Sequence, residues 1–331
     1  MLVFPDNKIP DLNFSFSKLN FSINKKFFST LFFCLCFSIL FGCSKNSDVN
    51  QNQSVSITDD LNKNFTFDSI PKKIISLAPH ITETIYFIGA DSLLAGVTDF
   101  CDYPLAVSSK KKLGGYVNTN YELIASINPD VILLTAEDVN RPQYKALNDL
   151  GYKIIANNPR TFDDIINMIN DYGKLLNKNQ SAKNLSDSLI NVKNQILSDS
   201  IFYNNLKKNL QGNKTLILIC SNPVMTANGE TFINEIIKLS GLKNIYEEGS
   251  IQYPQISQED VISKNPDVII LAGDTTNYQK MTEKISELNN KFEGTNAIKN
   301  KKIIFVDENL LFRPSPRILE AVSYIKYKLK Q

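Results

Sequence analysis

Apolar positions along this chain fall into short unbroken aliphatic runs and helically spaced stripes, and one pairing of the two occurs twice. In Glu122-Leu-Ile-Ala-Ser-Ile-Asn-Pro-Asp-Val-Ile-Leu-Leu134, the residues Leu123, Ile124 and Ile127 recur at helical spacing ahead of the run Val131 to Leu134. The order returns in Glu259-Asp-Val-Ile-Ser-Lys-Asn-Pro-Asp-Val-Ile-Ile-Leu271, with Val261 and Ile262 ahead of Val268 to Leu271. Each copy predicts a short amphipathic helix, a break at Pro129 or Pro266, and a strand covered on both faces. The prolines push Asn128 and Asn265 toward extended backbone. The plainer alternative is a common helix-to-strand connection met twice by chance.

The flanks carry the same rhythm. Lys73 to Leu77 and Leu93 to Val97 read as strands, with a turn at Ala78-Pro-His80 and a helix from Thr82 to Ile88 between them. A helix over Pro142 to Leu150 and a strand from Tyr152 to Ala156 follow the first cassette. Around the second cassette lie strands at Thr215 to Cys220 and Lys302 to Val306, with helices at Thr231 to Leu239, Tyr278 to Leu288 and Ile318 to Leu329. Strands alternating with helices predict parallel sheets. Between the halves the rhythm stops. Ile165, Ile169 and Tyr172, then Ala182, Leu185, Leu189, Val192 and Ile196, mark a long amphipathic helix with a candidate break at Asn177 to Asn179. It is either one more covering helix or a stiff backbone joining two lobes. The fold class is α/β: two Rossmann-like lobes with parallel sheets, residues 71–160 and 213–331, joined by a long backbone α-helix in 161–212.

The start of the chain has a different character. Lys25-Lys26 precede an uncharged, largely apolar stretch from Phe27 to Phe41, short for a membrane span of about 20 residues and suited to an export signal. Leu40-Phe41-Gly42-Cys43 resembles a bacterial lipobox. That resemblance implies a signal over residues 1–42, removed before Cys43, which then carries lipid. Simple secretion and a retained anchor are the alternatives. Residues 1–24 make a long n-region, and the next Met is Met168. Residues 43–70 read as a flexible tether, rich in Ser, Asn, Asp and Gln. The expectation is a lipoprotein tethered to a membrane and facing the periplasm or the cell exterior.

Composition narrows the function. Of 331 residues 43% are hydrophobic, enough for a sizeable core, and a net charge of +2 gives no field for nucleic acid. His occurs once and Trp not at all, so multi-His metal catalysis is poorly supplied. Nucleotide P-loop, dinucleotide Gly-x-Gly-x-x-Gly and hydrolase Gly-x-Ser-x-Gly patterns are all missing, so the sequence does not read as an enzyme. Only Cys101 and Cys220 lie in the body, and buried thiols are the simple reading of both.

Several motifs then fall in a recognisable order: Ile-Ser-Leu-Ala-Pro-His-Ile-Thr-Glu ending at Glu83, Asp102-Tyr103-Pro104, Gly114-Gly115, the two cassettes, Tyr253-Pro254-Gln255-Ile256-Ser257, and Arg313-Pro-Ser-Pro-Arg317. From Pro71 to Leu329 the chain resembles the siderophore, haem and cobalamin class of periplasmic binding proteins, and most closely its cobalamin-binding members. The resemblance implies capture of a corrinoid such as cobalamin, or of haem or a ferric siderophore, for an ABC permease and its ATPase. It implies a monomer with no intrinsic cofactor.

Ligands of two-lobed α/β proteins sit beyond the carboxyl ends of the strands. Tyr116 and Tyr253 precede the two cassettes at equal distance, and with Tyr103 they match positions where the class places aromatic residues in the cleft. Two facing rings suit a flat macrocycle; the alternative is that they staple loops to their own lobe. Asp102, Arg313 and Arg317 are further ligand candidates, the arginines for carboxylate or amide groups. Arg317 could instead cap the last helix or pair with Asp307. His80 is a possible metal ligand or a loop histidine bound to backbone. Glu122 and Glu259 open matched helices, with Thr119-x-x-Glu122 and Ser257-x-x-Asp260 as capping patterns. In the resemblance they are the carboxylates that dock on permease arginines.

Overall fold

The structure is a computed structural model that describes residues 54–115, 118–136, 140–209 and 213–331. The expected export signal, the candidate lipidation residue Cys43 and the ligand candidate Tyr116 lie outside the described residues. No helix among the described residues is long and apolar enough to cross a membrane.

The described chain opens with secondary structure where a flexible tether was expected. Part of the expected tether is an antiparallel hairpin of β1 (Val55–Thr58) and β2 (Asn64–Phe67). Its alternation is short and its outward positions are polar, so composition alone reads as disorder. The inward residues Ile57, Phe65 and Phe67 are buried, and Asp59 closes the turn by accepting from Leu61 N at 3.0 Å and Lys63 N at 2.8 Å. Burying three such side chains stabilises the hairpin by about 1.5–3 kcal/mol each.

The first lobe holds β3 (Ile74–Ser76), α1 (Pro79–Phe87), β4 (Leu94–Val97), α2 (Tyr121–Ile127), β5 (Val131–Thr135), α3 (Pro142–Asp149) and β6 (Ile154–Asn157). Its strands are parallel in the order β4-β3-β5-β6. Three helices follow: α4 (Phe162–Leu175), α5 (Asn179–Leu197) and α6 (Ser200–Asn209). The second lobe runs through β7 (Lys214–Leu218), β8 (Cys220–Ser221), β9 (Val224–Met225), α7 (Phe232–Leu239), β10 (Lys243–Asn244), α8 (Gln258–Lys264) and β11 (Val268–Ala272). It closes with α9 (Tyr278–Lys291), α10 (Asn296–Lys299), β12 (Ile303–Val306), α11 (Glu308–Leu311) and α12 (Ile318–Lys330). Its four-stranded sheet is parallel in the order β10-β7-β11-β12. Numbered within its own lobe, each sheet reads second, first, third, fourth.

The repeated cassettes occupy equivalent places, α2 with β5 and α8 with β11. Asn128 and Asn265 end their helices in the left-handed region, at φ 50° and 47°, and not in extended backbone. Asn tolerates that conformation through local hydrogen bonding, and it reverses the chain just before the proline. The Asp that follows explains the motif. Asp130 Oδ2 accepts from Lys72 N at 2.6 Å and Lys73 N at 2.9 Å, at the entry to β3. Asp267 Oδ2 accepts from Lys214 N at 3.1 Å, at the entry to β7. Each carboxylate pins the start of the adjacent central strand. Val131 to Leu134 and Val268 to Leu271 are buried throughout, as their uninterrupted aliphatic pattern predicts.

Residues 161–209 do not form one strut. The candidate break is real: Asn177 takes φ 54°, and α5 folds back antiparallel on α4. Ser186 Oγ donates to Asn170 Oδ1 at 3.1 Å, and Lys193 pairs with Asp163 at 3.3 Å. A Cβ on Gly173 would stand 2.4 Å from the Ala182 Cβ, so this glycine sets how closely the two helices approach. Returning along α4, α5 extends over about 28 Å at 1.5 Å per residue. Near its end Ile196 O accepts from Lys326 on α12 at 2.8 Å.

Candidate ligand-binding cleft

In a sheet ordered second, first, third, fourth, the direction of winding reverses between the first and third strands, and a crevice opens beyond their carboxyl ends. In the first lobe these are β3 and β5. Pro79 and His80 after β3 and Thr135 at the end of β5 line a cavity of about 520 Å³. Asn157 at the end of β6 joins them, with Asn158 and Arg160 from the loop that follows. The second lobe faces them with Phe232 of α7, the Gln252-Tyr253 loop and the segment from Glu308 to Pro314. The volume is within the usual range for ligand pockets.

The hairpin braces the β6 loop. Asp60 N donates to Ala156 O at 3.1 Å, Asp59 Oδ2 accepts from Ala156 N at 3.3 Å, and Asp60 Oδ2 accepts from Asn158 N. The Tyr172 hydroxyl on α4 donates to Asn157 Oδ1. Burial pushes the Asp60 carboxyl up and the Tyr172 hydroxyl well up. The loop then sends Arg160 across to the second lobe, where Nη1 donates to Glu230 O at 2.8 Å. With their amides oriented by hydrogen bonding, Asn158 Oδ1 accepts from Arg160 at 3.0 and 3.1 Å, and Gln252 Oε1 accepts from it at 2.7 Å.

A second crossing runs the other way. Arg313 Nη1 donates to Glu83 Oε1 at 3.0 Å and to Asp102 Oδ1 at 2.6 Å, and Nη2 donates to Phe100 O at 3.3 Å. Arg317 stands 3.7 Å from the same Glu83 oxygen, lies 4.0 Å over the Tyr103 ring, and donates to Glu320 at 3.4 Å. Glu83 has no exposed side-chain surface. Burial pushes its carboxyl up, against the pull of Ser315, Arg317 and Arg313. Asp102 feels a burial penalty too, but the hydrogen bond and charge of Arg313 hold it below the usual carboxylate range.

The sequence candidates therefore separate. Tyr253 and Arg313 line the cavity; Asp102, Tyr103 and Arg317 are outside its lining, in the ion cluster that clasps the lobes. Arg317 pairs with Glu83 and Glu320, not with Asp307. His80 is 5% exposed in the first turn of α1, with Nε2 unpartnered. Burial, then the charge of Arg313, lowers its pKa to about 3, so the imidazole is neutral. No group of three or more His, Cys, Asp or Glu is placed to hold a metal ion among the described residues. Cys101 and Cys220 are free thiols; Cys101 is buried and accepts from Thr82 Oγ1 at 3.2 Å. Glu122 and Glu259 are exposed in the first turns of their helices. The cap of α2 is Asn120, which accepts from Leu123 N at 2.8 Å, and not Thr119, whose hydroxyl donates to Gly115 O at 2.6 Å. The cap of α8 is Ser257, as its pattern predicts. Sequence reasoning missed Arg141, Arg160 and Phe312 in the cavity wall. Arg160 could have been found, since it closes the loop after a predicted strand.

Comparison with known proteins agrees with this architecture. The chain is 26% identical over 296 residues to an uncharacterized ABC transporter substrate-binding lipoprotein of Bacillus subtilis, covering 86% of this chain and 90% of that one. It is 26% identical over 254 residues to a vitamin B12-binding protein of Vibrio vulnificus, covering 77% and 88%. A crystal structure of a possible iron-binding, periplasmic solute-binding protein of Staphylococcus epidermidis superposes with a TM-score of 0.67 at 27% identity, covering 80% and 100%. The family model for periplasmic binding proteins matches residues 74–310, and the chain belongs to that family of non-enzymatic solute receptors.

Proposed function

We propose that this protein captures a corrinoid such as cobalamin in the cleft and delivers it to an ABC permease, tethered to a membrane through lipid on Cys43. The observation that carries the ligand reading is the mixture of groups around one cavity: the rings of Phe232, Tyr253 and Phe312 with the amides of Asn157, Asn158 and Gln252. Aromatic faces suit a flat macrocycle, and amides pair with the amide fringe of a corrinoid. The vitamin B12-binding relative supports this reading. Tyr116 is the proposed partner of Tyr253 on the facing lobe. The exposed Glu122 and Glu259 are the proposed docking carboxylates for the permease.

A haem or a ferric siderophore is the second reading. It is favoured by the unpartnered Nε2 of His80, a neutral nitrogen donor beside the cavity, and by Arg141 in the wall. Titration of the purified protein with cobalamin, haem and a ferric hydroxamate decides between them. Micromolar or tighter binding of cobalamin is expected, and its absence removes the corrinoid from first place.

A further inference from the structure

The cavity has a second hollow beside it. Behind Arg160 lies a space of about 500 Å³, and Arg160, Thr231 and Gln252 wall both. We propose that this hollow is a second compartment of the binding cleft, taking an uncharged, hydroxyl- or amide-bearing arm of the captured ligand, with Arg160 as the movable partition. The inference rests on reading the cleft as the ligand site.

Asn234 gives the hollow its chemistry. It lines the space, is 1% exposed, and donates from Nδ2 to Gly229 O at 3.2 Å, while its Oδ1 accepts no hydrogen bond. A buried carbonyl oxygen without a donor is what a ligand hydroxyl or amide N–H satisfies. An anionic arm is disfavoured. Asp164, Glu230 and Glu235 outnumber the cations Arg160 and Lys238 in the wall, and Lys238 is already paired with Glu247 at 2.8 Å. The partition itself is a long side chain held to Glu230 O, Asn158 and Gln252 by hydrogen bonds, so a change of rotamer joins the two spaces without moving a strand. Joining them roughly doubles the room and takes the cleft to the upper end of the usual range for ligand pockets.

The test compares ligands with and without such an arm. Wild-type protein, Asn234→Leu and Glu230→Trp are titrated with cobinamide, whose arms end in uncharged amides and a hydroxyl, and with haem. Glu230 is exposed, so the tryptophan fills the hollow from its rim and leaves the core untouched. Each variant is expected to weaken cobinamide about tenfold, the value of one good hydrogen bond, and to leave haem within about twofold. Equal losses for cobinamide and haem, or no loss in Glu230→Trp, overturn the second compartment and leave the cleft reading standing. Wild-type protein that binds haem alone overturns it as well, because haem carries carboxylates and no such arm. Wild-type protein that binds none of cobinamide, haem and a ferric hydroxamate overturns the reading of the cleft, and this inference with it.

Discussion

Replacing Glu83 by alanine removes the one acid that both Arg313 and Arg317 approach from the other lobe. The side chain of Glu83 has no exposed surface, and those of Arg313 and Arg317 are 11% and 14% exposed. Removing one partner of a buried ion pair costs about 3–5 kcal/mol, because it strands the charge that remains. The lower end applies here. Arg313 keeps Asp102, which is 56% exposed, and Arg317 keeps Glu320. A loss of about 3 kcal/mol lowers Tm by roughly 6–12 °C, at about 2–4 °C per kcal/mol for a domain of this kind. The assay is thermal unfolding by circular dichroism of wild type, Glu83→Ala, Arg317→Met and the double variant. If the penalty is stranded positive charge, removing Arg317 as well recovers part of it, and the double variant is more stable than the sum of the two losses predicts. A shift in Glu83→Ala below about 2 °C, or strict additivity, refutes the reasoning.

Other outcomes follow from the same structure. Phe65→Ala empties the buried side of the hairpin and is expected to cost about 3–5 kcal/mol in urea denaturation, against nearly nothing if these residues were a tether. Gly173→Leu drives a side chain into Ala182 and is expected to cost about 1–3 kcal/mol or more, with loss of the α4–α5 contact in hydrogen exchange. His80 has a folded pKa near 3 against an ordinary 6.5, so the unfolded chain binds the extra proton between those values. Its contribution to stability is therefore complete above pH 6.5 and is lost as pH falls toward 3; His80→Gln should flatten that part of the stability–pH curve. Glu122→Lys with Glu259→Lys should abolish stimulation of the importer's ATPase while leaving ligand affinity unchanged.

Long aliphatic runs made the sheets legible. Val131 to Leu134 and Val268 to Leu271 have no polar position to confuse helix with strand, and both are central strands. The hairpin was hidden because Ile57, Phe65 and Phe67 alternate with Ser, Thr and Asn, and four residues per strand give too short a period to read. The fold-back of α5 on α4 was half visible: Asn177 marked a break, but the direction of the next helix depends on Gly173 meeting Ala182. In the cleft, the places of Tyr253 and Arg313 in the cavity wall were legible, because loops beyond the sheets were the expected lining. The contacts of Asp102, Tyr103 and Arg317 across the lobes were not, because a charge facing a ligand and one facing the opposite lobe look alike until Glu83 is seen between the arginines.

The pinned strand starts have a consequence for how such a chain could arise. Asp130 and Asp267 each clip an incoming strand by main-chain amides, a bond indifferent to which side chain that strand carries at the point of attachment. A segment of helix, turn and strand that brings its own clip can be copied whole into a second position and still seat its neighbour in frame. Drift can then reshape the two mouths independently while the joinery behind them stays common property.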